Sequence, residues 1–597
     1  MADNRSFEST LHDIVYSIDT GTGLKIIRVT LYVLMLLVVV MVYTATQFRG
    51  LKTEEAMDYA QLGRNMSIQG GLVTKAVRPL SMWKMQQRTE GENPLIKQHP
   101  DLYHPPAYPA LLAAGFKLFE LVGVDPFAMP EGGRGVAMPA EQWIILPLNH
   151  LFSILTGWLV FSLGKRLFSR EVGFLGMTIY YLSDLVWQDS ISGLNVSMAI
   201  FFMTAAFHAM VVSMLNKRDG RSKFTWMVPF VLSIVCAAIA FLTRYIALAI
   251  VPGLCIFAWL MCGRFRGGTR FVVVFLLLYT LLIAPWLVRN YRVSGNPVGL
   301  VAYSALAGSP RFPENSIDRE YEAFEKEFLP QVGFGTMTTA VKQKWILNYS
   351  GKNSAVIPAL GGGVLMAMFI VTFFYHFVRP QVNYLRWGLG ISLLLMTVLA
   401  GFFSDSSIQM LHAFWPFVVL YGLAFFYILI DRLDLGVRLY NLGLKCLVVV
   451  LAVLPLGLTL MPPHENHPYP PYHAPIIAKV GQMLDEREVM CTDMPWATAW
   501  YGDRVSLLLP KDLDKFYDIN DNKQYISGMY FTTITKNKPF VRELLDGPEK
   551  SWLPVMSGRP PPDFPLKEGV ALNRQDQIFL SDRDRWSASS ATGAATQ

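Results

Sequence analysis

The stretch WMVPFVLSIVCAAIAFLTRYIALAIVPGLCIFAWLMC, residues 226–262, contains one charged residue, Arg244. An α-helix needs about 20 apolar residues to cross a bilayer, so this stretch is too long for a single crossing. A charge inside hydrocarbon is costly, and we therefore place Arg244 at a turn between two membrane helices. The stretch predicts a membrane protein in which two consecutive spans meet at Arg244.

The same apolar pattern recurs along the chain. Further apolar stretches begin near residues 26, 105, 143, 171, 190, 269, 355, 384, 407 and 439. The chain is 52% hydrophobic and 16% charged, whereas a soluble domain averages roughly 25% charge. We predict an α-helical polytopic membrane protein with about 11 transmembrane helices and a small C-terminal α/β domain.

The positions of Lys and Arg predict the topology, because cytoplasmic loops carry an excess of both. Lys25 and Arg28 place the N-terminus inside, and an even number of spans separates each later basic loop from the next. Between residues 104 and 165 an odd number of spans is required. Either 105–123 does not cross fully, or a span is hidden in 124–142.

This topology divides the chain into four parts. They are a cytoplasmic N-terminal segment (1–25), a transmembrane domain (26–462) with outer loops 48–104 and 289–354, an extracytoplasmic α/β domain (463–585) and a disordered tail (586–597). Within the α/β domain, an amphipathic stretch near 475–487 predicts a helix, and Val505–Leu509 and Met529–Thr533 predict strands.

Several classes of partner and cofactor are disfavoured. The net charge of +7 comes from Lys and Arg beside apolar spans, and no nucleic-acid-binding motif accompanies them, so nucleic acid is not expected. Neither a P-loop nor a Rossmann glycine fingerprint is present. His99 and His104 lack the spacing of metal ligands, and four of the five cysteines lie in apolar spans, so we expect no metal site and no disulfide framework.

Ionisable residues collect on the predicted outer side. They are Glu54, Glu55, Asp58, Lys75, Arg78, His99, His104, Asp184, Asp189, Arg244, Arg289 and His412. Such residues often cap helices or extend from helix ends to the interface. Three acids within residues 54–58 exceed the needs of capping, however, and carboxylates beside cations could bind an anionic lipid head group and activate a nucleophile.

Five segments carry a resemblance to a known family. They are EEAMDYAQLGRNM (54–66), HPPAYPALLAAGFKLF (104–119), FLTRYIALAIVPG (241–253), APWLVRNYRVSGNPV (284–298) and DMPWATAWYGDRVSLLLP (493–510). Their order and spacing resemble the bacterial membrane glycosyltransferases of the GT-C fold, in the family 39 group of protein O-mannosyltransferases and lipid A aminoarabinose transferases. The resemblance spans about residues 25–535 in patches.

The resemblance implies a glycosyltransferase of the bacterial inner membrane. It would use a polyprenyl-phosphate-linked sugar donor and transfer the sugar, with inversion, to a lipid, protein or polysaccharide acceptor on the outer face, without a cofactor. The family's catalytic base falls on Glu55, and Asp58 remains an alternative because many relatives have Asp at this position. An acidic residue that the family often has after the SGL sequence is absent, because Asn195 and Val196 stand there.

The remaining site residues are predicted to bind substrate. Arg244 and Arg289 match family arginines near the donor phosphate, and guanidinium is the fork-shaped, permanently charged partner of phosphate. The other predicted substrate-binding residues, chosen by their place on the outer side, are Glu54, Lys75, Arg78, His104, Asp189 and His412. A multi-span transporter or flippase of an anionic substrate is the alternative function, and a non-enzymatic scaffold is the third.

Overall fold

The computed structural model of the 597-residue chain describes most of its length. The described residues are 22–88, 98–129, 137–263, 267–313, 315–321, 334–350, 361–403, 408–433, 438–462, 469, 471–536, 545–547, 550–572 and 577–586. The predicted tail, apart from Trp586, and most of the predicted cytoplasmic segment lie outside these residues, as does part of the second outer loop.

The first half of the chain forms helices and one short strand. They are α1 (Thr22–Gln47), α2 (Glu54–Gln69), β1 (Ala76–Val77), α3 (Pro79–Arg88), α4 (Ala107–Leu121), α5 (Leu146–Leu167), α6 (Arg170–Tyr181), α7 (Asp184–Ile191), α8 (Val196–Arg218), α9 (Lys223–Thr243), α10 (Ile250–Met261) and α11 (Gly267–Ser294). A π-helical turn, Glu141–Ile145, begins α5, and 3₁₀ turns cover Tyr245–Ala249 and Gly299–Ala305. The apolar stretch that was expected to turn at Arg244 does so.

The second half continues the bundle and ends in an α/β region. Its helices are α12 (Phe334–Ser350), α13 (Gly361–Val371), α14 (Pro380–Phe402), α15 (Trp415–Leu433), α16 (Arg438–Thr459), α17 (Ala474–Gln482), α18 (Pro495–Tyr501), α19 (Leu513–Asn522), α20 (Thr533–Lys536) and α21 (Leu553–Met556). Short 3₁₀ turns cover Thr372–Phe374, Gln409–Phe414 and Lys550–Trp552. Its strands are β2 (Val489–Thr492), β3 (Val505–Leu508), β4 (Gly528–Phe531), β5 (Glu568–Leu572) and β6 (Gln577–Ser581).

Among the described residues, eight helices are long and apolar enough to cross a membrane, and two shorter apolar helices, Tyr245–Met261 and Gly362–Phe374, accompany them. In an apolar 18-residue stretch of each helix, 78% of the residues are buried in Gln409–Leu433 and 11% in Lys25–Gln47. The first therefore lies at the centre of the bundle and the second at its lipid-facing edge. The expected polytopic α-helical architecture is confirmed.

Helix α4 bears on the number of crossings. Its 15 residues extend about 22 Å at 1.5 Å per residue, less than the ~30 Å hydrocarbon core. It packs against α2, which follows the first span directly. This placement favours the first of the two alternatives from the sequence, in which 105–123 does not cross.

A six-stranded sheet has the strand order β1-β3-β2-β4-β6-β5. Strands β1 to β4 are parallel, and β6 and β5 extend the sheet antiparallel to β4. The predicted strands at Val505–Leu509 and Met529–Thr533 are present as β3 and β4, each within a residue or two of the expected bounds. The small C-terminal α/β domain is therefore confirmed.

The sheet also contains a strand from the first outer loop. Ala76 and Val77 of β1 pair with Ser506 and Leu507 of β3, more than 400 residues further along the chain. One hydrophobic cluster joins the three outer segments, because it contains Leu80 of the first loop, Phe312 of the second and Leu507 of the domain. Both outer loops and the C-terminal domain thus share a core.

Candidate functional site

The acidic residues 54–58 begin helix α2. Thr53 caps this helix, since its side-chain oxygen accepts a hydrogen bond from the backbone N–H of Ala56 at 3.3 Å. Glu54 and Glu55 lie in the first turn, where carboxylates interact favourably with the helix dipole. Asp58 follows one turn later and its side chain is only 2% exposed. The favourable interaction with the helix N-terminus accounts for Glu54 and Glu55 in the first turn. It does not account for the buried carboxylate of Asp58 in the next turn.

Glu55 and Arg244 form an ion pair. Arg244 Nη2 lies 3.2 Å from Glu55 Oε1 and 3.3 Å from Oε2. Arg244 Nη1 donates to Asn195 Oδ1 at 2.7 Å, and Asn195 Nδ2 donates to the hydroxyl of Tyr59 at 2.8 Å. The Glu55 side chain keeps 23% of its surface exposed, whereas that of Arg244 keeps 7%. A fixed guanidinium therefore holds an accessible carboxylate.

The turn before α8 brings Asn195 to Arg244. Gly193 in this turn has φ 76°, a left-handed conformation that glycine adopts without strain. A Cβ at Gly193 would lie 2.3 Å from Leu51 Cδ2 and 3.3 Å from Ala56 Cβ. The absence of a side chain thus permits close approach to the beginning of α2, on which Glu55 lies.

Asp58 and Arg78 form a second, more deeply buried pair. Arg78 Nη2 lies 2.7 Å from Asp58 Oδ2, and Arg78 Nε lies 3.8 Å from Asp318 Oδ2. The guanidinium also covers the ring of Tyr103 at 4.3 Å. Burial lowers the pKa of Arg78, but Asp58 and Asp318 outweigh this effect and raise it above its usual value. Arg78 is therefore a permanent cation between two acids.

Asp101 joins two of the predicted substrate-binding cations. Its carboxylate accepts hydrogen bonds from the backbone N–H of His104 at 2.6 Å and contacts His104 Nδ1 at 3.1 Å. Its backbone oxygen accepts from Arg289 Nη1 at 2.7 Å. Burial opposes the charge on His104, but Asp101 and Asp58 outweigh it and raise the pKa of this imidazole. Asp101 thus contacts both Arg289 and His104, and Nε2 of His104 lies 3.9 Å from Asp58 Oδ2 of the second pair.

Glu54 projects from the same helix turn into accessible space. The surrounding protein and the nearby carboxylates of Asp58 and Asp318 raise its pKa to about 7, although Arg78 acts in the opposite direction. Its side chain is nonetheless exposed, and solvent screening reduces such a shift. Glu54 is therefore a weaker acid than an ordinary surface glutamate.

Three of the predicted site residues have their partners elsewhere. Lys75 Nζ lies 2.5 Å from Asp503 Oδ1 of the C-terminal domain. Asp189 and His412 pair with each other, with Asp189 Oδ2 at 2.8 Å from His412 Nδ1. Both are buried, beside Trp415 in the helical bundle. The structure therefore brings Glu54, Glu55, Asp58, Arg78, His104, Arg244 and Arg289 into one region, and gives Lys75, Asp189 and His412 other contacts.

The C-terminal domain holds the loop that carries Asp318. Arg319 Nε and Nη2 donate to the backbone oxygens of Leu509 and Pro510, at 2.8 and 3.1 Å. Glu320 forms ion pairs with Lys511 and Lys515. On the other side of Arg78, strand β1 pairs with β3. The domain thus positions the segments that place Arg78 and Asp318 against Asp58.

Sequence reasoning did not select Asp101, Asp318, Tyr59 or Tyr103. A signal for Asp101 was available, because an acid three residues before His104 can fix its imidazole in a short turn. Asp318 had no comparable signal, since its contact with Arg78 joins the two outer loops. Asn195 was noted only for the absence of an acid, and its amide instead binds Arg244. Among the described residues, no group of three or more His, Cys, Asp or Glu is placed to hold a metal ion.

Comparisons with known proteins define the class. The structure of ArnT from Cupriavidus metallidurans in the apo state is similar to this one over 93% of this chain and 98% of the ArnT chain. The TM-score is 0.52 and the sequence identity is 13%. The same protein bound to undecaprenyl phosphate gives a TM-score of 0.54. The archaeal oligosaccharyltransferase AglB from Archaeoglobus fulgidus, in complex with an inhibitory peptide and a dolichol-phosphate, is similar over 87% of this chain and 71% of its own, with a TM-score of 0.53 and 10% identity. The chain has the GT-C fold expected from its sequence.

The sequence itself gives a narrower match. Residues 97–294 match the family described as dolichyl-phosphate-mannose-protein mannosyltransferase. That range holds His104, Arg244 and Arg289, three of the residues that the structure brings into one region. No curated protein matches the chain. The fold and the family match together place the chain in the class of multi-pass membrane glycosyltransferases, in agreement with the resemblance stated from the sequence.

Proposed function

We propose that this protein transfers a sugar from a polyprenyl-phosphate donor to a hydroxyl of a lipid, protein or polysaccharide acceptor on the outer face of the membrane, with inversion at the anomeric carbon. The observation that carries the proposal is the accessible Glu55 carboxylate, which Arg244 holds in the region that also contains Arg78, His104 and Arg289. In the transfer, the acceptor oxygen bonds to the anomeric carbon and its proton passes to Glu55. The bond from carbon to phosphate oxygen breaks, and polyprenyl phosphate leaves with the electron pair.

Exposure favours Glu55 over Asp58 as the base. A general base must come within hydrogen-bond reach of the hydroxyl that it deprotonates. The Glu55 side chain is 23% exposed and that of Asp58 is 2% exposed. Asp58 Oδ2 is also occupied by Arg78. Asp58 therefore orients Arg78, while Glu55 remains accessible to an acceptor.

The cations beside Glu55 match the charge that develops on the leaving group. Electrostatic stabilisation is strongest when donors are already fixed where negative charge appears. Arg289 is fixed through Asp101 and Asn290, and His104 through Asp101. We assign the donor phosphate to Arg289, His104 and Arg244. The transporter alternative gives these cations no reaction to assist, and the fold favours the transferase.

The donor is tested with purified protein and a radiolabelled polyprenyl-phosphate sugar. We expect saturable binding and slow hydrolysis or transfer of the label. Arg244→Lys keeps the charge but loses the planar fork, so it should bind donor about tenfold more weakly, near the ~1.4 kcal/mol that one such contact is worth. A thermal melt of the same samples should be unchanged. An unchanged affinity with a lowered melting temperature would instead make Arg244 structural, and no binding by the unaltered protein would refute the donor class.

The orientation in the inner membrane is also part of the proposal. The distribution of Lys and Arg supports a cytoplasmic N-terminus and an extracytoplasmic C-terminal domain. We expect an alkaline phosphatase reporter fused after Trp586 to be active and a fluorescent protein that folds only in the cytoplasm to be dark at the same site. The reverse pair of signals would place the whole candidate site on the cytoplasmic side and contradict the use of an outer acceptor.

A further inference from the structure

A small cavity lies inside the helical bundle, beside the pair formed by Asp189 and His412. Its volume is about 10 Å³, near the ~10–15 Å³ that one buried water needs. The polar residues of its lining include Ser153 of α5, Asp189 of α7, Ser197 of α8, His412 of the 3₁₀ turn Gln409–Phe414 and Trp415 at the start of α15. Five elements of the bundle therefore meet at this cavity.

The indole of Trp415 indicates that the cavity holds a ligand. Trp415 is 2% exposed, and within the part of the chain that the structure describes its Nε1 has no hydrogen-bond partner. A buried donor without a partner costs free energy, and most buried polar side-chain atoms of folded proteins bind either protein or ordered water. Because Trp415 lines the cavity, an acceptor inside it would satisfy this N–H.

Other polar groups of the lining can bind the same ligand. Asp189 Oδ2 contacts His412 Nδ1 at 2.8 Å, whereas no described residue donates a hydrogen bond to Asp189 Oδ1. Ser153 Oγ donates to Ser197 Oγ at 3.4 Å, which leaves the Ser197 hydroxyl able to donate and Ser153 Oγ able to accept. The lining therefore combines donors with acceptors.

This combination selects the chemistry of the ligand. A metal ion cannot accept the N–H of Trp415, an anion would lie beside the carboxylate of Asp189, and an apolar group would leave both without a partner. A water molecule has the size of the cavity and both donates and accepts. Buried waters make about three hydrogen bonds, which Trp415, Asp189 and either serine can supply.

The cavity adjoins the turn that presents Asn195 to Arg244. The hydroxyl of Ser192 donates to the backbone oxygen of Asp189 at 2.7 Å and accepts from the backbone N–H two positions later at 3.2 Å. Asn195 follows directly, and Ser197 contributes to the cavity two residues further on. Both ends of the turn are thus tied to the cavity.

We propose that one water molecule occupies this cavity, where it accepts from Trp415 Nε1 and donates to Asp189 Oδ1, and that the hydrated pair of Asp189 and His412 positions Asn195. The water site is independent of the proposed function, whereas the positioning role rests on it. Asn195 accepts a hydrogen bond from Arg244 Nη1 at 2.7 Å. A displaced turn would therefore weaken the hold on the guanidinium that we assign to the donor phosphate.

The water is tested in the full-length protein. A structure that resolves ordered water should show a peak ~2.7–3.2 Å from Trp415 Nε1. Replacement of Trp415 by 3-benzothienylalanine exchanges the N–H for sulfur and preserves the ring shape, so we expect a lower melting temperature because a hydrogen bond to water is lost. The same replacement at Trp158, which is 57% exposed, should leave the melting temperature unchanged.

Two results would overturn the water site. One is a structure with no water peak at that position. The other is a raised or unchanged melting temperature after the replacement at Trp415, because removal of an N–H that has no partner relieves a cost instead of breaking a bond.

The positioning role is tested by the affinity for polyprenyl phosphate. Asp189→Asn preserves the side-chain shape but weakens the bonds to water and His412, and it should bind about three- to tenfold more weakly. In the background of Asn195→Ala the same change should have no further effect, because the residue that it positions is already altered. The control Asp219→Asn, which removes an exposed carboxylate, should bind as the unaltered protein does.

The outcomes separate the two claims. Unchanged affinity of Asp189→Asn, or losses that add in the double variant, would overturn the positioning role. Absence of polyprenyl phosphate binding by the unaltered protein would refute the proposed function and the positioning role with it. The structure and the melting temperatures would still decide whether the water is present.

Discussion

Glu55→Gln is expected to lower the rate of sugar transfer by about 10²–10⁴-fold, the usual contribution of a general base. Glutamine preserves the length and shape of the side chain and can still accept a hydrogen bond from Arg244. It cannot take a proton from the acceptor hydroxyl. The measurement is the single-turnover rate with a radiolabelled polyprenyl-phosphate donor, beside a donor-binding curve and a thermal melt. Binding and melting should change little.

Two neighbouring carboxylates provide matched controls. Glu54→Gln removes an exposed acid of the same turn and should reduce the rate by less than about tenfold, because the acceptor proton passes to Glu55, which Arg244 holds in place. Asp58→Asn tests the buried alternative. Full turnover by Glu55→Gln together with an inactive Asp58→Asn would transfer the role of base to Asp58, and it would show that the buried pair opens when substrate binds.

The sequence could predict the bundle because each span carries its own signal. The segment 226–262 is apolar on both sides of Arg244, and the cost of a charge in hydrocarbon places that residue at a turn. The same reasoning located Glu55 immediately after the first span. The sequence did not predict the ion pair between Glu55 and Arg244, although both residues were expected at the outer face. Hydropathy and topology therefore predicted that Glu55 and Arg244 lie at the same level of the fold, and the structure brings them into contact.

Hydropathy could not predict which residues of that side touch. Lys75 and Arg78 are three positions apart, but strand β1 lies between them, so Lys75 meets Asp503 and Arg78 meets Asp58. Asp318 reaches Arg78 only because the C-terminal domain holds the second outer loop. Asp189 and His412 were grouped with the site by depth alone, and they pair with each other inside the bundle. Contacts across long loops depend on tertiary packing, which a single sequence does not display.

The domain contacts give the C-terminal sheet a direct bearing on the site. Strand β3 pairs with β1, which immediately precedes Arg78, and the residues after β3 bind Arg319, which follows Asp318. A displacement of β3 would therefore move Arg78 and Asp318 together relative to Asp58. Asp58 itself lies on α2 in the first loop. The Asp58–Arg78 pair is thus the point at which the sheet meets the helix that carries Glu55.

Arg78→Gln is expected to destabilise the protein by about 3–5 kcal/mol, because removal of one partner leaves the buried Asp58 carboxylate without its counter-charge. Asp58→Asn should cost less, since Arg78 retains Asp318 and the ring of Tyr103. The double variant Asp58→Asn/Arg78→Gln removes both charges and should recover at least half of the loss. The measurement is the free energy of unfolding in detergent for the four proteins of this cycle, with donor affinity measured beside it. An unchanged stability of Arg78→Gln with abolished donor binding would make Arg78 a ligand of the donor phosphate, and Asp58 would then serve to orient it for that contact.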